Sequence, residues 1–135
     1  MTQLATAGLL VVENRKLLLA FSNNKQCFYL PGGKIDQGET AFEALSREIK
    51  EELNTDIEPS QLIYHTHITA PAYGEINGTM MEQDCFFSAV PLQFQASGEI
   101  AELKFFSVSE YLLEKKTAPG AVMILEQLKA EGFID

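Results

Sequence analysis

The chain carries only two cysteines and two arginines among its 135 residues. It also lacks any apolar run approaching the roughly 20 residues that a membrane span needs. Behind Met1-Thr2-Gln3-Leu4 there is no basic stretch of the kind that opens a secretory leader. A disulfide framework is therefore not expected, and Cys27 and Cys85, each beside a phenylalanine, read as buried free thiols of a cytoplasmic protein. Scarce arginine and a formal net charge of −9 leave no basic patch for a phosphate backbone, so nucleic-acid polymers are excluded as partners. A membrane is excluded as well. A small anionic substrate remains open, provided that bound cations neutralise its phosphates. Repeats, low-complexity stretches and linkers are absent. The length suits one domain over residues 1–135, and 46% hydrophobic residues with dispersed charge argue against disorder. The sequence leaves homodimerisation open.

What the chain does have is a concentrated run of acid. In Arg47-Glu48-Ile49-Lys50-Glu51-Glu52 three carboxylates fall within one helical segment. Residues three and four apart share a helix face, so Glu48 neighbours both Glu51 and Glu52. Phe42, Leu45, Ile49 and Leu53 form the apolar stripe of the same helix, with Glu48 and Glu52 along one border. A glutamate-rich helix is ordinarily a solvated face. Carboxylates at the edge of a buried face, however, repel one another, and a hard divalent cation with oxygen ligands is the natural compensation. Upstream, Pro31-Gly32-Gly33 is a turn-forming run whose bare backbone lets a ligand approach closely.

Together these residues resemble the Nudix signature. Gly33, Glu39, Arg47, Glu48, Ile49, Glu51 and Glu52 stand at the family's spacing. Two positions depart from it: Asn54 stands where the family has glycine, and Thr55 where it has an aliphatic residue. Asparagine is the next choice for a left-handed helix cap. Thr55 is expected to enter the following strand, with Ile57 taking the buried place. The resemblance implies an α/β fold, the Nudix-type α/β/α sandwich with a mixed sheet and a loop–helix–loop motif. It implies hydrolysis of a pyrophosphate bond in a nucleoside diphosphate linked to another group. Glu48, Glu52, Glu51 and the Gly33 carbonyl are the implied ligands of Mg2+ or Mn2+. Glu51 is also a candidate base, Glu39 supports the loop, and Arg47 orients a glutamate. Some members draw their general base from a downstream loop, for which Glu99 is the candidate and Glu102 the second. A non-catalytic nucleotide sensor on the same fold is the competing class, and loss of signature glutamates would favour it. Isopentenyl diphosphate isomerisation is weaker still, for want of a suitably placed cysteine.

Along the chain, strands are expected at 4–12, 17–21, 27–30, 62–69, 85–90 and 103–108, with helices at 40–53, 109–115 and 120–131. Thr40 with Glu43 three positions on has the spacing of a capping box. A loop or hairpin tip is expected over 71–79, around Gly74 and Asn77-Gly78. Among candidate substrate residues, Lys34 could touch phosphate, and Tyr73 and Phe28 could stack on a base. His65 and His67, two apart, would share one strand face, as core or pocket residues or as part of a zinc site with Cys85. Pro71 and Tyr73 point to different substrates within the family, ADP-ribose and dinucleoside polyphosphates respectively. The short chain resembles the nucleoside triphosphate members. The sequence gives the reaction without the nucleoside.

Overall fold

The computed structural model describes residues 3–74 and 78–135; Asn77 of the expected hairpin tip lies outside them. Two four-stranded sheets carry the fold. The first runs β5(Gly32–Lys34), β1(Gln3–Leu10), β7(Met80–Ser88), β6(Leu62–Pro71). It is mixed: β1 and β7 are parallel, while β5 on β1 and β6 on β7 are antiparallel. The second is antiparallel and centred on β3(Lys16–Ser22). Here β8(Ile100–Phe106) takes one edge, and β2(Val12–Glu13) with β4(Cys27–Tyr29) shares the other.

Alternation along β1 explains the layering. Ala7 and Leu9 point to one side, where Leu45, Ile49 and Leu53 of helix α1(Ala41–Leu53) close over them with Phe86. Leu10 points to the other, into a core of Leu17, Leu19, Phe106 and the inner face of helix α3(Pro119–Ala130). The first sheet is thus covered by α1 on one face and by α3 with the second sheet on the other. The first sheet is the mixed sheet expected from the sequence, and the second, antiparallel sheet is added to it. The expected strand 4–12 breaks because the backbone leaves the first sheet after Leu10 and pairs Val12 and Glu13 with Leu17 and Lys16. Asn14 and Arg15, both at positive φ, make that turn. Thr55 joins no strand: its hydroxyl lies between the carbonyls of Leu53 and Gln93 and shares its one proton with them, while Ile57 is buried as expected.

The pair His65 and His67 does not share a face. A β-bulge between Tyr64 and Thr66 inserts one residue and reverses the alternation. His65 turns toward α3, packing on Phe87 and Phe133 and bonding Glu131 at 2.8 Å. His67 sits on the opposite face between Asp84 and Glu82, each at 2.8 Å. Cys85 is buried and apart from both bonds, so no zinc set forms among these three residues. Both cysteines are free and buried, and burial pushes the Cys85 thiol up to about 12. Among the described residues no helix is long and apolar enough to cross a membrane.

The segment expected as helix 109–115 is a single turn, α2(Val108–Tyr111), and its last residue fastens the second core. Tyr111 is fully buried; its hydroxyl donates to the Phe28 carbonyl at 2.5 Å and accepts the Ala118 N–H at 2.9 Å. Removing that hydroxyl leaves the Ala118 N–H unpaired and leaves the Phe28 carbonyl the weaker Cys27 thiol donor at 3.5 Å. Tyr111→Phe is expected to lower stability by about 1–3 kcal/mol, read as a drop in the urea midpoint. An unchanged midpoint would show that the clamp contributes nothing.

Candidate active site

Helix α1 starts and stops where its ends can be satisfied. Thr40 Oγ1 accepts the Glu43 N–H at 3.1 Å and Glu43 Oε1 accepts the Thr40 N–H at 2.9 Å, a complete capping box. Asn54 ends it in the left-handed conformation, φ 51° and ψ 41°. Phe42 stands partly exposed at the start and packs edge-on against Phe86 rather than sinking into the core.

Residues 32–34 form β5, a strand that the glycines conceal from propensity. A Cβ at Gly32, whose φ is +140°, would lie 2.0 Å from the Ala7 carbonyl oxygen. A Cβ at Gly33 would lie 2.6 Å from the Glu48 carboxyl carbon. Bare backbone therefore allows β5 to seat on β1 and the Glu48 carboxylate to lie against it.

Arg47 ties this loop to the helix. Its Nε and Nη2 hold both oxygens of Glu39 at 2.8 and 2.9 Å, Nη1 reaches Glu48 at 2.9 Å, and Nη2 donates to the Lys34 carbonyl at 3.1 Å. Fork-to-carboxylate pairing of this kind fixes geometry as well as charge. Glu51 receives only a longer contact from Arg47, at 3.7 Å, and its side chain is largely solvent-exposed. The three glutamates thus separate: Glu48 and Glu52 face the cleft and Glu51 faces water.

The cleft, about 260 Å³, lies between β5, β1, β7, the loop before β8 and the start of α3. Glu48, Glu52 and Glu99 are its acids; Lys34, Lys25, Tyr73 and Pro71 also line it, with buried Leu30 and Gln83 and half-buried Met81. Glu99 is fastened, since Oε1 accepts from Ser22 Oγ at 2.9 Å and from the Asn24 N–H at 3.2 Å. Glu102 lies inside β8, exposed and outside the lining. Phe28 also lies outside it, which corrects the stacking role considered above. Strand β4 turns its ring into the core, edge-on between Phe21 and Phe106 with centroids 5.0 Å away on each side.

The electrostatics of the cleft acids are uneven. Burial, reinforced by the charges of Glu48, Glu99 and Glu51, pushes the Glu52 carboxyl up to about 8 despite the Gly32 N–H that it accepts at 2.9 Å. Burial also raises Glu48, although Arg47 opposes it. Both shifts describe carboxylates short of positive charge. Among the described residues no three His, Cys, Asp or Glu side chains form a ready cage. Arg47 draws Glu48, Gly32 draws Glu52, and Ser22 draws Glu99. The donor set nonetheless fits a hard divalent ion in kind: all-oxygen, anionic, partly buried and beside bare backbone.

A family model described as NUDIX domain matches residues 1–128. The chain belongs to that family of hydrolases, whose members generally use divalent metals. An ADP-ribose pyrophosphatase of Methanocaldococcus jannaschii is 50% identical over 50 residues, covering 36% of this chain and 30% of its own. The human 8-oxo-dGDP phosphatase NUDT18 is 41% identical over 54 residues, covering 38% of this chain and 17% of its own. Each match spans less than a third of the relative's length. In fold, the MutT NUDIX hydrolase from Burkholderia pseudomallei superposes with a TM-score of 0.73 at 20% identity, covering 95% of this chain and 99% of that one.

Sequence reasoning missed Thr6, Lys25 and Gln83 as cleft residues. Strand β7 begins at Met80 rather than Cys85, and the alternation Met81, Gln83, Cys85 would have placed all three on one face. The Glu39–Arg47 pair carries a pH prediction. Arg47 holds the Glu39 carboxyl down to about 2 from an ordinary 4.5. A depressed folded value contributes stability that is present above the unfolded value and lost as pH falls through the folded one. The urea midpoint difference between wild type and Glu39→Gln is expected to be constant from pH 7 to 5 and to shrink below pH 4.5. A difference that stays level to pH 3 would remove the ion pair from the account of stability.

Proposed function

We propose that the protein hydrolyses a pyrophosphate bond in a small nucleotide, a nucleoside diphosphate linked to a further group, with Mg2+ or Mn2+ held by Glu48 and Glu52. The carrying observation is the convergence of Glu48, Glu52 and Glu99 on one cleft beside the bare backbone of Gly32 and Gly33. Such an ion supplies charge neutralisation of the phosphates and a lowered pKa of coordinated water. Glu51, at the solvent edge, and the Gly33 carbonyl are further oxygen donors to it. Arg47 keeps Glu48 in position and leaves its own charge committed to carboxylates. The role that remains for Glu99, anchored through one oxygen by Ser22, is general base: its other oxygen takes the proton of the attacking water. Lys34 and Lys25 meet the outer phosphate charge. An ADP-ribose-like nucleotide or a nucleoside triphosphate is the substrate class. The partial match to an ADP-ribose pyrophosphatase, with Pro71 on the cleft wall, supports the former.

The test is turnover of ADP-ribose, nucleotide sugars, nucleoside triphosphates and dinucleoside polyphosphates with Mg2+ or Mn2+, and without. Hydrolysis of at least one, abolished by chelation, is expected; binding of the panel without turnover would identify a sensor instead. Glu52→Gln is expected to cut the rate by orders of magnitude with stability unchanged or slightly raised, because repulsion from Glu48 is relieved. Near wild-type turnover in saturating Mg2+ would remove Glu52 from the ligand set. Glu99→Gln is expected to lower kcat by roughly 10² to 10⁴, the range of general-base assistance, and Glu102→Gln to be nearly silent. Small and equal effects would transfer the base to α1, with Glu51 its holder.

A further inference from the structure

The cleft holds one polar group that the reading above leaves unused. Gln83, in the middle of β7, is 7% exposed and lines the cleft. Its backbone carbonyl serves the strand and receives the Cys85 thiol at 3.9 Å. Its side-chain amide bonds none of the described residues and is not sealed from the cleft. Space for it is built in: a Cβ at Gly8 on the neighbouring strand would come within 3.0 Å of Gln83 Nε2 and 2.8 Å of Leu30 Cδ1. Around the amide the walls are apolar or aromatic, formed by Leu4, Leu30, Met81 and Tyr73. Buried polar groups are paired as a rule, so an amide kept open in such surroundings is arranged for a ligand.

We propose that Gln83 reads the base of the nucleotide, and that the base is adenine. This rests on the proposed function for its premise that a nucleotide occupies the cleft. The register supports the span. Thr6 of β1 pairs with Lys34 on one side and with Gln83 on the other, which sets the Gln83 backbone two strand spacings, about 10 Å, from Lys34, with its amide reaching back over β1 toward Gly8. Phosphates at the cleft acids and a ribose over Thr6 bring the base to Gln83. An amide offers one donor beside one acceptor. It matches adenine N7 and N6–H bidentately, whereas the N7/O6 edge of guanine carries two acceptors and calls for arginine or lysine. Guanine meets an amide only through its N1–H and O6, an edge that leaves N7 unused, so loss of N7 separates the two purine modes.

The experiment uses AMP, 7-deaza-AMP and GMP, which carry no pyrophosphate bond, titrated calorimetrically into the full chain with Mg2+. Wild type is expected to bind AMP about fivefold more tightly than 7-deaza-AMP, the worth of one hydrogen bond, and to prefer AMP to GMP. Gln83→Leu, close in size, is expected to bring the AMP to 7-deaza-AMP ratio to one. No preference in wild type, or a preference that persists in Gln83→Leu, would overturn the assignment. The wild-type comparison alone decides if the variant fails to fold. Absent turnover of the substrate panel with this discrimination intact would remove the hydrolase reading and leave base recognition by Gln83 supported.

Discussion

Arg47 is the constraint on which the site depends. One of the chain's two arginines, it joins elements that have no other strong reason to be in register: the glycine strand through the Lys34 carbonyl, the following loop through Glu39, and the helix through Glu48. Its guanidinium is nearly surrounded by acceptors, so it is spent on architecture. A lysine could supply the charge but not the fork. The β5 strand has only three residues, and without Arg47 it would be held to α1 mainly by the single Gly32 to Glu52 bond.

The same architecture creates the site's tension. Burying Leu45, Ile49 and Leu53 under the first sheet fixes the rotation of α1, and that rotation carries Glu48 and Glu52 to the cleft whether or not anything neutralises them. Arg47 compensates Glu48 in part, but Glu52 has only a backbone N–H, which does not offset its burial. Hydrophobic packing thereby drives two carboxylates into a place where a cation would be stabilising. In the same cleft, sheet alternation leaves an unpaired amide at Gln83. Cleft chemistry in both cases follows from which side of an element its core residues occupy.

Legibility in the sequence followed locality. The ends of α1 were readable because Thr40, Glu43 and Asn54 act within one helical turn, and the Glu48/Glu52 edge was readable from helical angle. The division between Glu52 and Glu51 was not, since both neighbour Glu48 and only the placement of the sheet distinguishes them. Strand β5 was hidden because Gly32 and Gly33 have poor strand propensity, and their pairing with β1 supplies what propensity does not. The bulge at His65 broke a count of two that nothing nearby signals. Phe28 illustrates the same limit, since a short apolar run does not reveal which ring faces a cleft and which the core. Glu99 was found through its glycine neighbour, but the Ser22 and Asn24 bonds that fix it come from the end of β3 and the turn after it, far away in sequence.

The central claim is that the divalent ion lies between the glycine strand and the edge of α1. Mn2+ titrated into isotopically labelled protein, followed by broadening of backbone amide signals, tests it most directly. Broadening that begins at Gly32, Gly33, Glu48, Glu52 and Glu99 at low Mn2+ is the expected result. Broadening that begins instead around His67, Glu82 and Asp84, the other exposed acidic group on the first sheet, would contradict the assignment.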